Sequence, residues 1–488
     1  MKKLYLCDFT SNNIYFFVKM RYHKYKHPTF HGGSILKYEL LNYDIFPKVF
    51  RAGETGKITI KPLGRHSAFE EGTMYHIRVM PMSAGAFYVY KERENVFDFN
   101  MSPNKRGELN FSFKFPEEGE YSVRVLNGDK KLIVKLAVYA VEADLCGRLP
   151  YIGDLHMHTC LSDGKESPEV VASNYRSYGY DFMAITDHRK YYPSLELIEK
   201  FKDVPLDMKI YPGEEIHTPN TDVHIVNFGG DYSINALYEK SQQNAYGTEE
   251  SKRSVPGAQY VPPILTEEEY NEACDKAAEK FDIPDGIEKR SFGACVWIFD
   301  EIKKAGGLGI FCHPYWISDV YQVPENFTEY MLTVHPFDAF EVLGGESYYR
   351  QNGFQTAIYY EMRAKGIDLP IVGSTDTHGS TEANPNRLVA STIVFAPENS
   401  RDAIVSSIKE GYSVAVDGIP AEPRYVGHFR LIKYACFLME NYFPIHNKAC
   451  ETEGALMLEY VKGDTKAAKM LAMCAGNVPK MRKKYFAF

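Results

Sequence analysis

Between Leu149 and Gly418 one unit recurs along the chain, a short apolar run followed by a stretch with helical periodicity. The runs are YIGDL (151–155), DFMAI (181–185), MKIYPG (208–213), VHIVNF (223–228), GLGIFC (307–312), FDAFEV (337–342) and LPIVGS (369–374). Segments such as SPEVVASNYRSYG, SLELIEKFKD, VWIFDEIKKAGG and FQTAIYYEMRAKG fall between several of them, and SRDAIVSSIKEG follows the last. Strands that alternate with helices are joined by crossovers, and crossovers leave the strands parallel. The pattern predicts an α/β fold whose seven strands form a parallel barrel or a strongly wound sheet.

The flanks read differently. Residues 1–148 hold alternating runs (GKITIKPL, MYHIRVMPM, AFYVYKE, ELNFSFKF, GEYSVRVLN and KLIVKLAVYAVEA) separated by turn-forming pieces. Period-two runs at short spacing predict an antiparallel, immunoglobulin-like sandwich. Its histidines (His23, His27, His31, His66, His76) are scattered and read as surface or turn residues. Within the α/β part (149–423), a polar insertion at 231–295 is long enough to be a lid or substrate wall. Residues 424–488 read as a helical tail, and its basic end, PKMRKKYFAF, as a solvated terminus.

Composition narrows the function classes. A net charge of −8 with scattered basic residues makes binding to extended nucleic acid unexpected, while leaving room for a local phosphate pocket. Nine cysteines without CxxC spacing suggest reduced thiols and a cytoplasmic setting. The opening MKKLYLCDFTSNNIYFFVK is interrupted by Asp8, Ser11, Asn12 and Asn13, so it does not read as a signal peptide. No apolar run reaches the ~20 residues that span a bilayer, and no membrane partner is expected.

The chemistry-bearing residues sit at the strand ends. Run one leads into His156 and His158, run two into Asp187-His188, and run three into Glu214-Glu215. Run four carries His224, run five ends at His313, and run seven leads into Asp376 and His378. Residues two apart on a strand share a face, so His156/His158 and Asp376/His378 can each grip one site together. Imidazole mixed with carboxylate suits Zn²⁺, Mn²⁺ or Fe²⁺, whereas oxygen-only sets suit Mg²⁺ or Ca²⁺. Cys160 and Cys312 adjoin the motifs but each neighbours a better ligand. Counting one carboxylate of the Glu214-Glu215 pair and setting Asp187 aside, Asp163 brings the candidate ligands to nine, enough for two or three ions sharing bridging groups. Clustered ions would lower the pKa of a bound water and neutralise charge on a phosphoryl group.

The motifs HMHTCLSDG, TDH, GEE, the His of VHIVNF, CHP and TDTH, in that order, resemble those of the PHP (polymerase and histidinol phosphatase) family over roughly Leu149 to Gly418. The resemblance implies a distorted seven-stranded (β/α) barrel of the TIM-like kind. It also implies a hydrolase acting on phosphoric esters, monoester or diester, through metal-bound hydroxide at a di- or trinuclear site. By the same resemblance His156, His158, Glu215 and Asp376 would hold one ion. Glu215 would bridge to a second held by His224 and His313, and Asp163, His188 and His378 would hold a third. Many members have histidine where Asp163 stands, and the aspartate resembles the branch that includes nucleotide phosphatases. The Gly-x-Glu spacing of the family favours Glu215 over Glu214. His217 competes with His224, which is preferred because VHIVNF reads as its own strand. Asp154 and Asp187 are expected to orient imidazoles, and Glu341 either does the same or is a core-edge carboxylate.

A phosphorylated small substrate or nucleotide would need cations near the ions. Arg189 and Lys190 follow His188 directly, and Arg387 stands shortly after the last motif. Arg350 and the pair Lys289/Arg290 are weaker candidates. His156, His158, Asp376 and Arg189 are thus the expected catalytic residues. Other readings remain open: a nuclease acting on DNA or RNA ends, which would need a basic groove, and an amidohydrolase, which usually wants a bridging lysine. A non-enzymatic relic is disfavoured by the intact ligand set.

Overall fold

In the computed structural model, residues 37–85, 96–217, 219–238, 253–345, 349–418 and 424–488 are described. His23, His27, His31, the opening segment and the run AFYVYKE (86–92) lie outside them. The first elements are helix α1 (Tyr38–Asn42) and strands β1 (Tyr43–Phe46), β2 (Val49–Arg51), β3 (Thr55–Pro62), β4 (Tyr75–Pro81), β5 (Phe97–Met101), β6 (Leu109–Lys114), β7 (Gly119–Leu126) and β8 (Leu132–Val141). They make two sheets, ordered β1-β3-β6 and β2-β8-β7-β4-β5. Alternation explains the packing. Along β4 the inward set Tyr75, Ile77 and Val79 is buried, and along β6 so are Leu109, Phe111 and Phe113. The two inward faces share one apolar core with Ile45, Ile58, Ile60, Val123 and Leu136. Strands β1, β2 and β5 were not among the predicted runs, since two are four residues or fewer and β5 is largely exposed.

The α/β part contains β9 (Leu149–Asp154), α2 (Pro168–Ser177), β10 (Phe182–Ala184), α3 (Tyr192–Phe201), β11 (Lys209–Tyr211), β12 (Gly213–Ile216) and β13 (Ile225–Phe228). After these come α4 (Glu267–Ala278), α5 (Lys289–Lys304), β14 (Leu308–Phe311), α6 (Glu325–Val334), β15 (Ala339–Leu343), α7 (Tyr349–Ala364), β16 (Ile371–Gly373), β17 (Ala390–Ala396), α8 (Arg401–Lys409), β18 (Ser413–Asp417) and β19 (Arg424–Val426). Each of the seven apolar runs contains a strand. The sheets correct the expectation of one all-parallel ladder. One sheet runs β11-β10-β9-β17-β18-β19 and the other β12-β13-β14-β15-β16. Run three splits at Pro212, which offers no N–H to a ladder, so β11 joins one sheet and β12 the other. Strand β13 is antiparallel to both β12 and β14, and β17 is antiparallel to β9. Among the described residues no continuous ladder joins the two sheets. Single parallel bridges link the two sheets, Met157 to Thr377 and His188 to Glu215.

The insertion is not structureless. Thr266 caps α4 by accepting from Glu269 N at 3.2 Å, and the Glu269 carboxylate returns to Thr266 N at 2.8 Å. Helix α5 starts at Lys289, inside the segment assigned to the insertion, because the Glu288 carboxylate caps its first amides.

The tail comprises α9 (Phe429–Asn441), α10 (Phe443–Val461), α11 (Thr465–Cys474) and α12 (Asn477–Tyr485). Tyr434, Phe437, Tyr442 and Tyr485 share a core with Val49 and Tyr139 of the first sheets and with Ile393, Phe395 and Val414 of β17 and β18. Arg430 pins α9 further, pairing with Glu118 at 2.5 Å and Asp144 at 2.6 Å. The basic end is therefore not a solvated terminus, for Arg482 is only 6% exposed. Its Nη2 lies 2.8 Å from the buried Asp181 carboxylate, which also meets His446 Nε2 at 2.9 Å and Arg176 at 3.7 Å. A lone buried carboxylate is costly, and three cationic partners answer it.

This network sets a pH dependence. Burial disfavours the charged His446, but Asp181 and Cys450 outweigh it and lift its pKa to about 10. A folded pKa above the unfolded value of about 6.5 means the folded chain binds that proton more tightly. The stabilisation is complete below pH ~6.5 and is lost as pH rises toward about 10. Urea midpoints should fall across that window, and His446→Gln should flatten the fall.

Candidate metal centre

The reversed direction of β13 explains how His224 reaches the other candidates. It precedes its strand, whereas His156, His158, His188, His313, Asp376 and His378 all follow theirs. A parallel β13 would put its first residue at the far end of the sheet; antiparallel pairing returns it to the shared mouth. Backbone bonds fix the strand ends side by side. Asp376 N donates to His156 O at 2.8 Å, His158 N to Thr377 O at 2.9 Å, and Arg189 N to Glu215 O at 2.9 Å. His313, Asp376 and Arg189 have φ of 21°, 47° and 62°. Non-glycine residues in the left-handed region carry strain that persists where surrounding structure enforces it, commonly at functional sites.

Glu215 is the centre. Its side chain is fully buried, and Oε2 lies 2.5 Å from His188 Nδ1, 3.4 Å from His158 Nε2 and 3.5 Å from His156 Nε2. Oε1 lies 2.7 Å from His224 Nδ1 and 3.7 Å from His313 Nε2. Neither oxygen makes an aligned hydrogen bond, nor does either ring nitrogen of His313. Buried, unsatisfied polar atoms converging on one space are expensive unless a cation joins them. Asp376 completes the inner set, with Oδ1 2.9 Å from His158 Nε2 and Oδ2 3.7 Å from His313 Nε2. Ligand atoms of His158, Asp163, His188 and His378 lie within 4.8 Å of one another, as do those of His156, Glu215 and His313, and of His156, His158 and Asp376. The residues fit divalent-cation binding, since imidazole and carboxylate are both represented among them.

Electrostatics points the same way. Burial works against the Glu215 carboxylate, yet His188, His224 and His156 hold it well below the usual range. Asp376 is likewise held low against burial by His156 and His158. Burial opposes charge on His188 too, but Glu215 and Asp163 push it up to about 10. The cluster's carboxylates are thus held ionised by the imidazoles around them, the form in which a carboxylate can bind a cation.

The structure distinguishes residues that the sequence left paired. Glu214 points away from Glu215 and accepts from Ile234 N at 2.6 Å, Ser233 Oγ at 2.7 Å and Asn235 Nδ2 at 2.9 Å, tying down the start of the insertion. His217 and His224 are not alternatives. His217 Nε2 is 2.8 Å from His188 Nδ1 and 3.7 Å from Glu215, and its ring lies 4.2 Å from that of His224. Asp154 and Asp187 do not touch imidazole nitrogens. Asp154 binds Thr375 Oγ1 at 2.6 Å and His156 N at 3.2 Å, and Asp187 binds Thr159 N at 2.7 Å, so both brace loop backbone. Orienting an imidazole falls to Glu341, fully buried on β15, whose Oε2 is 2.9 Å from His156 Nδ1. Sequence reasoning missed Ser162, whose hydroxyl donates to Asp187 at 2.5 Å and lies 3.5 Å from His158 Nδ1. A lone serine beside a motif carries no distinguishing signal. Cys160 is exposed, and the buried Cys312 thiol, raised by burial, donates to Ile310 O at 3.4 Å.

Among the candidate cations only Arg189 and Lys190 adjoin the cluster in the chain, and the Lys190 ammonium is bonded to Leu161 O. Arg387 is buried, donating to Asn384 O at 3.1 Å beside the Tyr178 ring. Arg290 pairs with Asp275 at 2.6 Å on α4, and Arg350 is exposed beside Phe354.

No family model matches the sequence, and no curated protein does. Among solved structures, a two-domain protein containing a predicted PHP-like metal-dependent phosphoesterase from Bacteroides vulgatus is 19% identical, with a TM-score of 0.34 over 55% of this chain. The match spans 65% of that protein's own length. A candidate metal-dependent phosphoesterase from Bifidobacterium adolescentis is 18% identical over 48% of this chain and 89% of its own, with a TM-score of 0.31. An amidohydrolase from Chromobacterium violaceum, with bound sulfate and no metal, is 18% identical over 46% of this chain and 87% of its own, with a TM-score of 0.29. Each is a loose, partial similarity.

Proposed function

We propose that the chain is a metal-dependent phosphoesterase of the PHP type. In this reading residues 149–423 are a distorted seven-strand barrel, 1–148 an immunoglobulin-like sandwich, and 424–488 a helical tail. The observation that carries it is the buried Glu215 carboxylate, with both oxygens unsatisfied amid His156, His158, His188, His224 and His313. The single bridges that link the two sheets support the barrel, because they join the strand ends bearing these residues. Divalent ions bound there would act as Lewis acids on a phosphoryl oxygen and activate water. His156, His158, Glu215 and Asp376 would hold one ion, Glu215 with His224 and His313 a second, and Asp163, His188 and His378 a third. His217, 2.8 Å from His188 Nδ1, would assist at His188 in this reading. Arg189, directly after His188 and with its backbone N–H bonded to Glu215 O at 2.9 Å, is the cation proposed for the substrate's phosphate.

The test is a screen of p-nitrophenyl phosphate, its bis-ester and nucleotide phosphates with Mn²⁺, Zn²⁺ or Fe²⁺. Metal-dependent turnover is expected, and it should collapse in the His156→Ala, Asp376→Ala protein. Unchanged turnover in that protein, or hydrolysis confined to amides, would refute the reading.

Glu341 supplies a graded test of the same site. An orienting carboxylate beside a ligating imidazole typically contributes 10–100-fold in metal affinity. Glu341→Gln keeps the shape of the side chain and is expected to weaken metal binding about tenfold. Competition with a metallochromic chelator measures it.

A further inference from the structure

We infer that a cavity of about 360 Å³ at the opposite end of β9 binds a small anion carrying an apolar body, an aryl or short acyl group with a phosphate or carboxylate head. The volume is that of an ordinary small-molecule pocket. It opens where β9 and β11 begin, beside α12, with Leu149, Tyr151 and Lys209 on its walls. The metal-site residues His156 and His158 lie beyond the other end of β9, roughly 20 Å away at strand rise. The cavity is therefore separate from the metal site, and the inference does not depend on the proposed activity.

The charge of the lining selects an anion. Lys209, Arg482 and Lys483 contribute three cations against one acid, Asp207. That carboxylate is already committed, accepting from Gly476 N at 2.7 Å and Val478 N at 2.9 Å at the start of α12. Arg482 is the built element. It is nine-tenths buried, its Nη2 is held by Asp181 at 2.8 Å, and its guanidinium lies 4.3 Å from the Tyr151 ring. Neither its Nε nor its Nη2 makes an aligned hydrogen bond, so the buried guanidinium keeps unmet donor capacity at the cavity wall. Two exposed lysines flank this fixed donor. Leu206, Pro479 and Phe488 add apolar surface to the lining, which a bare inorganic ion would leave uncovered.

Isothermal titration calorimetry of the full chain in EDTA, which prevents phosphate binding through metal ions, tests this with phenyl phosphate, benzoate and inorganic phosphate. At least one organic anion should bind saturably, tenfold or more tighter than inorganic phosphate. Lys209→Glu with Lys483→Glu should weaken that binding at least tenfold. Because both lysines are exposed, the variant should melt with the parent, and thermal melts in the absence of probe check that it is folded. Phe488→Ala should weaken the organic anions while leaving inorganic phosphate unchanged. Absence of saturable binding, equal affinity for inorganic phosphate, or binding indifferent to the double charge reversal would overturn the inference.

Discussion

Substitution of Glu215 by glutamine is expected to remove metal-dependent hydrolysis and the stabilisation that metal confers. The carboxylate touches two groups of histidines at once, through Oε2 to His156, His158 and His188 and through Oε1 to His224 and His313. A neutral amide of the same shape keeps the packing but withdraws the shared negative charge. The loss should exceed the ~100-fold that an orienting partner contributes, because Glu215 would itself be a ligand. In thermal melts, saturating Mn²⁺ at about a hundred times its Kd should stabilise the parent by about 2.7 kcal/mol. The variant should not respond. An equal Mn²⁺ shift in both proteins would remove Glu215 from the centre of the site.

The second large effect lies away from the mouth. Asp181→Ala leaves Arg482 and His446 buried without their shared counter-charge, while Arg176 keeps Glu453 at 2.8 Å. Breaking a buried pair by removing one partner typically costs 3–5 kcal/mol. About 4 kcal/mol is expected here, from the loss of urea midpoint at constant m-value. The tail should suffer first, since α10 and α12 supply His446 and Arg482. A loss below about 1 kcal/mol would mean that the network is solvated and that apolar packing alone holds the tail.

The apolar runs and the phase of their polar ends were legible in the sequence because strand periodicity and motif spacing are local. Direction and pairing were not. VHIVNF reads the same whether β13 runs parallel or antiparallel, and only its neighbours β12 and β14 decide. Pro212 could have signalled that MKIYPG continues into a second strand, yet the switch of sheets depends on partners distant in sequence. Strands β17 and β18 went unread because they follow the last motif, although ASTIVFA and SVAVD are β-branched and wholly buried. At the site, residue types were recoverable but pairings were not. Whether Glu341 faced His156 or the core, and whether Asp154 gripped a ring or a backbone, turns on side-chain direction in three dimensions. The basic terminus misled for a related reason. Arg482 looks like surface charge until Asp181, 301 residues earlier, is brought beneath it.

Metal content bears most directly on the central claim. The protein, purified without chelator and exchanged into metal-free buffer, should retain two or three equivalents of Zn, Mn or Fe by inductively coupled plasma mass spectrometry. That content should drop sharply in the Glu215→Gln protein prepared alongside. Less than about a tenth of an equivalent of any divalent metal, both as purified and after reloading with Zn²⁺, Mn²⁺ or Fe²⁺, would contradict the account.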